Sequence, residues 1–166
     1  MNTSEKIKTK ILTPESLRLK LGLWKFRDQK IVFTNGCFDL LHLGHIDYLG
    51  KAAEMGDVLI IGVNTDESVR RLKGKGRPIN HEDQRLQILA SLFFVDAVIL
   101  FNEDTPYELI KTIQPNVLVK GGDYTVANII GADLVSAAGG FVHVIPLLAG
   151  YSTTLTEEKI KTPMGL

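Results

Sequence analysis

Two histidines three residues apart, His42 and His45, flank Gly44 just after an apolar run, Ile31-Val32-Phe33, and a glycine-containing turn, Thr34-Asn35-Gly36. A polar-apolar pattern of helical period resumes after Gly44, so the unit reads strand, turn, helix. A helix N-terminus offers backbone N–H groups without intrahelical partners and the positive end of the peptide dipoles, an environment that favours an anion. Phosphate is the natural guest. Imidazole N–H groups at this place would face the phosphates of a nucleoside triphosphate. They would stabilise charge on a five-coordinate phosphorus and on departing pyrophosphate. The plainer reading is a pair of incidental histidines, which the spacing after a glycine turn disfavours. A zinc site would need a third ligand, a cysteine or carboxylate at ligand spacing, and none is evident.

Other residues suit the same guest. Asn35, Gly36, Cys37 and Phe38 are expected to act through the backbone, with Gly36 letting a nucleotide come close. Asp39 is open to three roles: ordering the loop, helping to hold Mg²⁺, or plain N-capping. Cys37, the only cysteine, reads as a small buried residue. Ser152, Thr153 and Thr154 stand at a helix start, where three hydroxyls exceed what a cap requires and suggest a second anion cradle. Lys73, Lys75 and Arg77, interleaved with glycines, read either as a solvated basic face or as a mobile flap closing over phosphates, with Lys75 the first choice. Lys120, Gly121, Gly122 and Asp123 end a strand. They form either a tight turn or a place where Lys120 meets an acceptor phosphate and Asp123 meets sugar or nucleotide hydroxyls. Arg85 either approaches this pocket or makes a surface ion pair. His143 reads as structural and His81 as exposed at a helix start.

The elements that must carry these residues follow from pattern. Thr13-Pro14-Glu15 opens a helix to about residue 23. Apolar runs at 31–33, 58–63, 97–101, 117–119 and 141–145 read as strands, and 58–63 is apolar on both faces, as in a central parallel strand. Helices are expected at 44–55, 64–72, 80–92 (capped by Asn80 with Asp83), after Thr105-Pro106, at 129–138 and from Ser152. Alternation of strands and helices predicts one α/β domain over residues 11–166, a doubly wound five-stranded parallel sheet with helices on both faces. Residues 1–10 read as a flexible N-terminal segment. Ligands of such sheets sit beyond the strands' carboxyl ends, and the loops after the first, second, fourth and fifth strands carry the unusual residues.

Composition narrows the function. The 166 residues carry 19 Lys plus Arg against 19 Asp plus Glu, which argues against a nucleic-acid binder driven by bulk charge. A single cysteine and a polar, signal-free N-terminus suit a reducing cytoplasm. The most membrane-like window, residues 134–151, is interrupted by Gly139-Gly140, His143 and Pro146, and reads as helix end, turn and strand rather than a span.

The motif His42-Leu43-Gly44-His45, with the later Ser152-Thr153-Thr154 helix start, resembles the H-x-G-H nucleotidyltransferase superfamily over residues 31–160. The run from Thr34 to His42 is similar to its cytidylyltransferase-like branch. Residues 101–106 and 118–124 (Phe-Asn-Glu-Asp-Thr-Pro and Leu-Val-Lys-Gly-Gly-Asp-Tyr) are similar to the D-glycero-β-D-manno-heptose 1-phosphate adenylyltransferases, here expected in free-standing form without a kinase half. The resemblance implies a Rossmann-like fold and ATP plus a sugar 1-phosphate as substrates, with Mg²⁺ held mainly by substrate phosphates. It also implies a homodimer and ADP-heptose as product. His42 and His45 would stabilise phosphate, Ser152 and Thr153 would bind it, and Lys120 and Asp123 would belong to the sugar-phosphate and nucleotide pocket. Cytidylyltransferases carry R-T-E-G-I before S-T-T. Leu148-Ala149-Gly150-Tyr151 stands there instead, which disfavours CTP.

Three other functions compete with this one. Nucleotidyl transfer to glycerol 3-phosphate or flavin mononucleotide is one, and a non-catalytic nucleotide-binding module is another. A dinucleotide-dependent oxidoreductase is disfavoured because the first turn lacks G-x-G-x-x-G.

Overall fold

Every residue of Val58–Asn64 is buried, as it must be in a strand with a neighbour on either side and a helical layer above and below. The computed structural model describes residues 2–161. In chain order these form α1 (Thr3–Lys8), β1 (Ile11–Leu12), α2 (Pro14–Phe26), β2 (Ile31–Gly36), α3 (Leu43–Ala53), β3 (Val58–Asn64), α4 (Asp66–Lys73) and α5 (Glu82–Ser91). They continue as β4 (Ala97–Phe101), α6 (Tyr107–Ile113), β5 (Val117–Gly121), a 3₁₀ turn (Val126–Asn128), α7 (Ala132–Ala137), β6 (Phe141–Ile145) and α8 (Thr153–Lys161). The strands make one sheet in the order β1-β4-β3-β2-β5-β6, with every neighbouring pair parallel.

Strand alternation sorts the core into two halves. Ile31 and Phe33 point to the face covered by Leu17 and Leu21 of α2, Ile110 and Ile113 of α6 and Val135 of α7. Val32 points to the other face, against Tyr48, Leu49 and Ala52 of α3 and Leu86 and Leu89 of α5. Helices on both faces make the doubly wound α/β fold that the alternating pattern predicts. Among the described residues no helix is long and apolar enough to cross a membrane.

Four local expectations are corrected. The sheet has six strands, not five, because the two residues of β1 pair with β4 and are too few to carry a period-two pattern. Within residues 1–10, expected to be flexible, α1 is capped by the Asn2 carboxamide, which accepts from the Glu5 N–H at 2.9 Å, and Ile7 packs on the core. α5 starts after His81, whose N–H donates to Gln84 at 3.1 Å. Asn80 does not cap it, because its carboxamide donates to the Asp39 carbonyl at 2.8 Å, a partner 41 positions away. α7 is shorter than 129–138, with the 3₁₀ turn ahead of it and Gly131 at φ 84° before its first residue.

The sheet's most consequential feature is an early parting. β2 and β3 stay paired from Ile31↔Val58 to Gly36↔Val63, and β5 and β6 from Val117↔Phe141 to Gly121↔Ile145. β2 and β5 pair only at Val32↔Val117 and Phe33↔Leu118. Beyond these they separate, at the point where strand order reverses and a crevice must open. Tyr48 of α3 occupies the fork. Its hydroxyl donates to the Val119 carbonyl at 3.2 Å and accepts from the Thr34 hydroxyl. Burial pushes the phenol up to about 12, so it stays protonated at physiological pH.

Tyr48→Phe should therefore leave the Thr34 hydroxyl and the Val119 carbonyl without their partner. We expect a loss of about 1–3 kcal/mol in urea-denaturation stability, and a change within experimental error would show that the hydroxyl does not hold the fork.

Candidate active site

α3 begins at Leu43, with His42 in the N-cap position, and the His42 ring makes no capping bond. It stacks instead on His45, ring centroids 3.9 Å apart and planes inclined by 22°. The Phe38 ring meets His45 edge-on at 5.3 Å. Phe38 holds a left-handed backbone, φ 48°, uncommon for a bulky residue. It thus acts through its ring as well as its backbone. Gly44 leaves little room for a side chain: a Cβ there would lie 3.1 Å from the His42 imidazole and 3.2 Å from the Tyr151 Cβ. The glycine lets the segment entering α8 descend onto the first turn of α3.

That approach joins two anion-favouring helix starts. Thr153, the first residue of α8, lines the same cavity of about 240 Å³ as His45, together with Lys73 at the end of α4, Tyr48, Gly121 and Leu147. A second cavity, of about 340 Å³, lies alongside, lined by Asn64, Leu72, Asp104, Thr105, Asn128 and Ile129 among others. The two share a wall of Asn35, Gly36, Cys37, Lys120 and Tyr124. Lys120 crosses the fork to donate to Asn35 Oδ1 at 3.3 Å and lies over the Tyr124 ring. Two compartments separated by a lysine suit a donor and an acceptor that must meet.

The electrostatics favour an incoming anion. Burial, then the neighbouring positive charge of His42 and Lys73, holds His45 down at about 4, and the Leu40 backbone compensates only in part. Burial also lowers His42 and Lys120. The histidines therefore stand as neutral rings at neutral pH, and the Nδ1 atoms of both are buried without a hydrogen bond of ordinary geometry. Such atoms are rare in folded proteins unless a ligand or function uses them.

Behind the cleft the charges are paired. Asp39 is buried, and its carboxylate accepts from Arg77 Nη1 at 2.5 Å, the Ile79 N–H at 2.8 Å and the Asn80 N–H at 2.9 Å. These bonds tie the 77–80 loop to the turn before α3. The carboxylate oxygens are thereby committed, and the described residues include no group of three or more His, Cys, Asp or Glu side chains arranged for a metal. Arg85 neither lines the cleft nor makes a surface ion pair. Wholly buried, it donates to the Cys37 carbonyl at 2.6 Å, the Asn80 carbonyl at 3.1 Å and Asp66 at 2.8 Å. His81 is exposed and contacts Asp66 at 3.0 Å.

Not every expected residue arrives. Lys75 and Asp123 are exposed and line neither cavity, His42 also lines neither and meets the site through its stack on His45, and Lys73 takes the place foreseen for Lys75. Arg77 is engaged by carboxylates rather than left to neutralise phosphate. Of the three hydroxyl residues only Thr153 lines the cavity, while the Ser152 carbonyl serves α8 by accepting from the Thr156 N–H and hydroxyl, both at 3.1 Å. Cys37 is half-buried in the shared wall, its Sγ 3.8 Å from Asn64. The burial of Arg85 is what the sequence reading missed. Its one sequence signal is an arginine on the apolar stripe of α5, beside Leu86 and four positions before Leu89.

Residues 33–154 match the family model described as cytidylyltransferase-like. Among curated proteins the chain is 53% identical over 152 residues to the bifunctional protein HldE of Syntrophotalea carbinolica, covering 92% of this chain and 31% of that protein. It is likewise 53% identical over 152 residues to HldE of Campylobacter jejuni subsp. jejuni, covering 92% and 32%. The chain thus spans about a third of the length of these relatives. Among solved structures, a lipopolysaccharide core biosynthesis protein from Thermoplasma volcanium superposes with a TM-score of 0.58 at 30% identity, covering 72% of this chain and 97% of that one. A pantoate-beta-alanine ligase from Francisella tularensis, with a TM-score of 0.61, 19% identity and coverage of 89% and 75%, shares the fold. With the matched span running from the central strand through the start of α8, the chain belongs to the cytidylyltransferase-like family.

Proposed function

We propose that this domain is an adenylyltransferase that moves AMP from ATP to D-glycero-β-D-manno-heptose 1-phosphate. The products are ADP-heptose, a precursor for lipopolysaccharide or surface glycan, and pyrophosphate. The observation that carries the reading is the cavity shared by His45 and Thr153, where two helix starts and Lys73 converge on a space sized for phosphates. The neighbouring cavity, with Asp104, Thr105 and Asn128 on its wall, suits a hydroxyl-rich sugar. Likeness to a lipopolysaccharide core biosynthesis protein agrees with a sugar-nucleotide product. The reading includes a cytoplasmic enzyme working as a homodimer.

The chemistry needs little from the protein beyond placement and charge. An oxygen of the sugar phosphate, anionic near neutral pH, forms a bond to the α-phosphorus of ATP. The bond from that phosphorus to the oxygen bridging to the β-phosphate breaks, and pyrophosphate departs with the electron pair. No general base is required. His42 and His45 donate N–H hydrogen bonds to the oxygens on the α-phosphorus and on the leaving pyrophosphate, Thr153 and the α8 amides hold the far phosphates, and Lys73 and Lys120 balance charge. Magnesium enters as part of the MgATP substrate.

Pyrophosphate release from a panel of acceptors tests the substrate assignment. ATP with the heptose 1-phosphate should outpace CTP with glycerol 3-phosphate, and the reverse order would overturn it. His45→Ala, with its fold verified by circular dichroism, should lose about 10²–10³-fold in kcat, and undiminished turnover would remove the histidine from the mechanism.

Proton linkage gives a second check. A polyanion beside His45 favours the charged ring, so its pKa must rise from about 4 when nucleotide binds. An NMR titration with a non-hydrolysable ATP analogue should show that upward movement, and an unmoved His45 would place the phosphates elsewhere.

A further inference from the structure

Arg77 sits in a basic run yet faces two carboxylates. One is the fully buried Asp39, on the loop between β2 and α3, and the other is Glu157, one turn into α8. The three side chains are well shielded, with relative exposures of 16% for Arg77, none for Asp39 and 20% for Glu157. The Ile79 and Asn80 amides bond to the same Asp39 carboxylate, so the loop carrying Arg77 is fixed at its base. α8 meets the rest of the cleft through Thr153 in the cavity, and the segment that enters it through Tyr151, packed close to Gly44. Thr153 and Glu157 are four positions apart and share one face of that helix. An ion pair at Glu157 therefore sets where Thr153 stands.

We propose that Arg77 is a positioning residue. By bridging Asp39 and Glu157 it latches α8 onto the α3 start, fixing Thr153 opposite the His42–His45 pair. It touches neither substrate. Its effect falls on the compartment that receives the triphosphate, while the acceptor compartment, to which neither α3 nor α8 contributes a lining residue, is left alone. This inference rests on the reading that ATP occupies the His45–Thr153 cavity. The guanidinium's fork geometry explains why arginine suits the place: two carboxylates on separate elements can be bonded at once, which a lysine ammonium does less rigidly.

The test uses the full chain with Glu157→Ala, Glu157→Asp and Arg77→Lys. Isothermal titration with an ATP analogue on the unaltered protein comes first, and absence of binding there would remove the nucleotide reading itself. Given binding, Glu157→Ala should raise the Kd and the KM for ATP by about ten-fold, leave the KM for the sugar phosphate within two-fold and leave kcat within about three-fold. Glu157→Asp should restore part of the ATP affinity and Arg77→Lys should fall between. Unchanged ATP affinity in Glu157→Ala overturns the latch. So does an equal loss in kcat and both KM values accompanied by a lower melting temperature, the mark of a merely structural pair. Should Glu157→Ala fail to fold, the Glu157→Asp and Arg77→Lys series decides by the same selective rise in ATP KM.

Discussion

Two parallel strands that pair at two positions and then part create the space on which the rest of this molecule depends. A parallel ladder hides backbone polar groups in regular bonds, and stopping it early leaves groups that must find partners elsewhere. Tyr48 supplies one by reaching from α3 to the Val119 carbonyl and Thr34. Lys120 and Asn35 bond across the mouth of the fork. These polar bonds replace the ladder and leave a crevice above them, at the switch in strand order where α/β sheets bind ligands. Gly121 belongs to the same constraint, because a Cβ there would come 3.1 Å from both the Tyr48 ring and the Leu147 side chain.

The polar atoms around this crevice divide sharply by role. In the scaffold they are satisfied: Arg85 has three acceptors and Asp39 three donors. Burying such charges costs several kcal/mol each before pairing, and breaking one pair leaves the other charge stranded, so they hold the glycine turn in one geometry. At the start of α3, the Nδ1 atoms of His42 and His45 are buried without a hydrogen bond of ordinary geometry. Stacked rings 3.9 Å apart would repel if both were charged, which agrees with their depressed proton affinity. The stack tolerates neutral rings in the free protein and gains from an anion that restores charge.

Much of this architecture was legible in local pattern. Continuous apolar runs marked the central strands, and Thr13 before Pro14 marked the start of α2, because those signals depend on neighbours in sequence. The edge location of His42, His45, Lys120 and Thr153 was legible for the same reason. What sequence hid depends on distant partners. Asn80 has the right chemistry to cap α5, yet the Asp39 carbonyl outbids that role from 41 positions away. Arg77 looks like a phosphate ligand until Asp39 and Glu157 enclose it. Lys73 and Lys75 differ by two positions, and only the end of α4 at Gly74, φ 96°, separates the one at the cavity from the one in solvent.

The direct test of this account is a crystal structure with a non-hydrolysable ATP analogue, magnesium and the sugar 1-phosphate. The account predicts the triphosphate between the His42–His45 stack and the first turn of α8, with the sugar phosphate across Lys120 in the adjoining cavity. A nucleotide bound away from that cleft, with the imidazoles and Thr153 touching none of its phosphates, would contradict it.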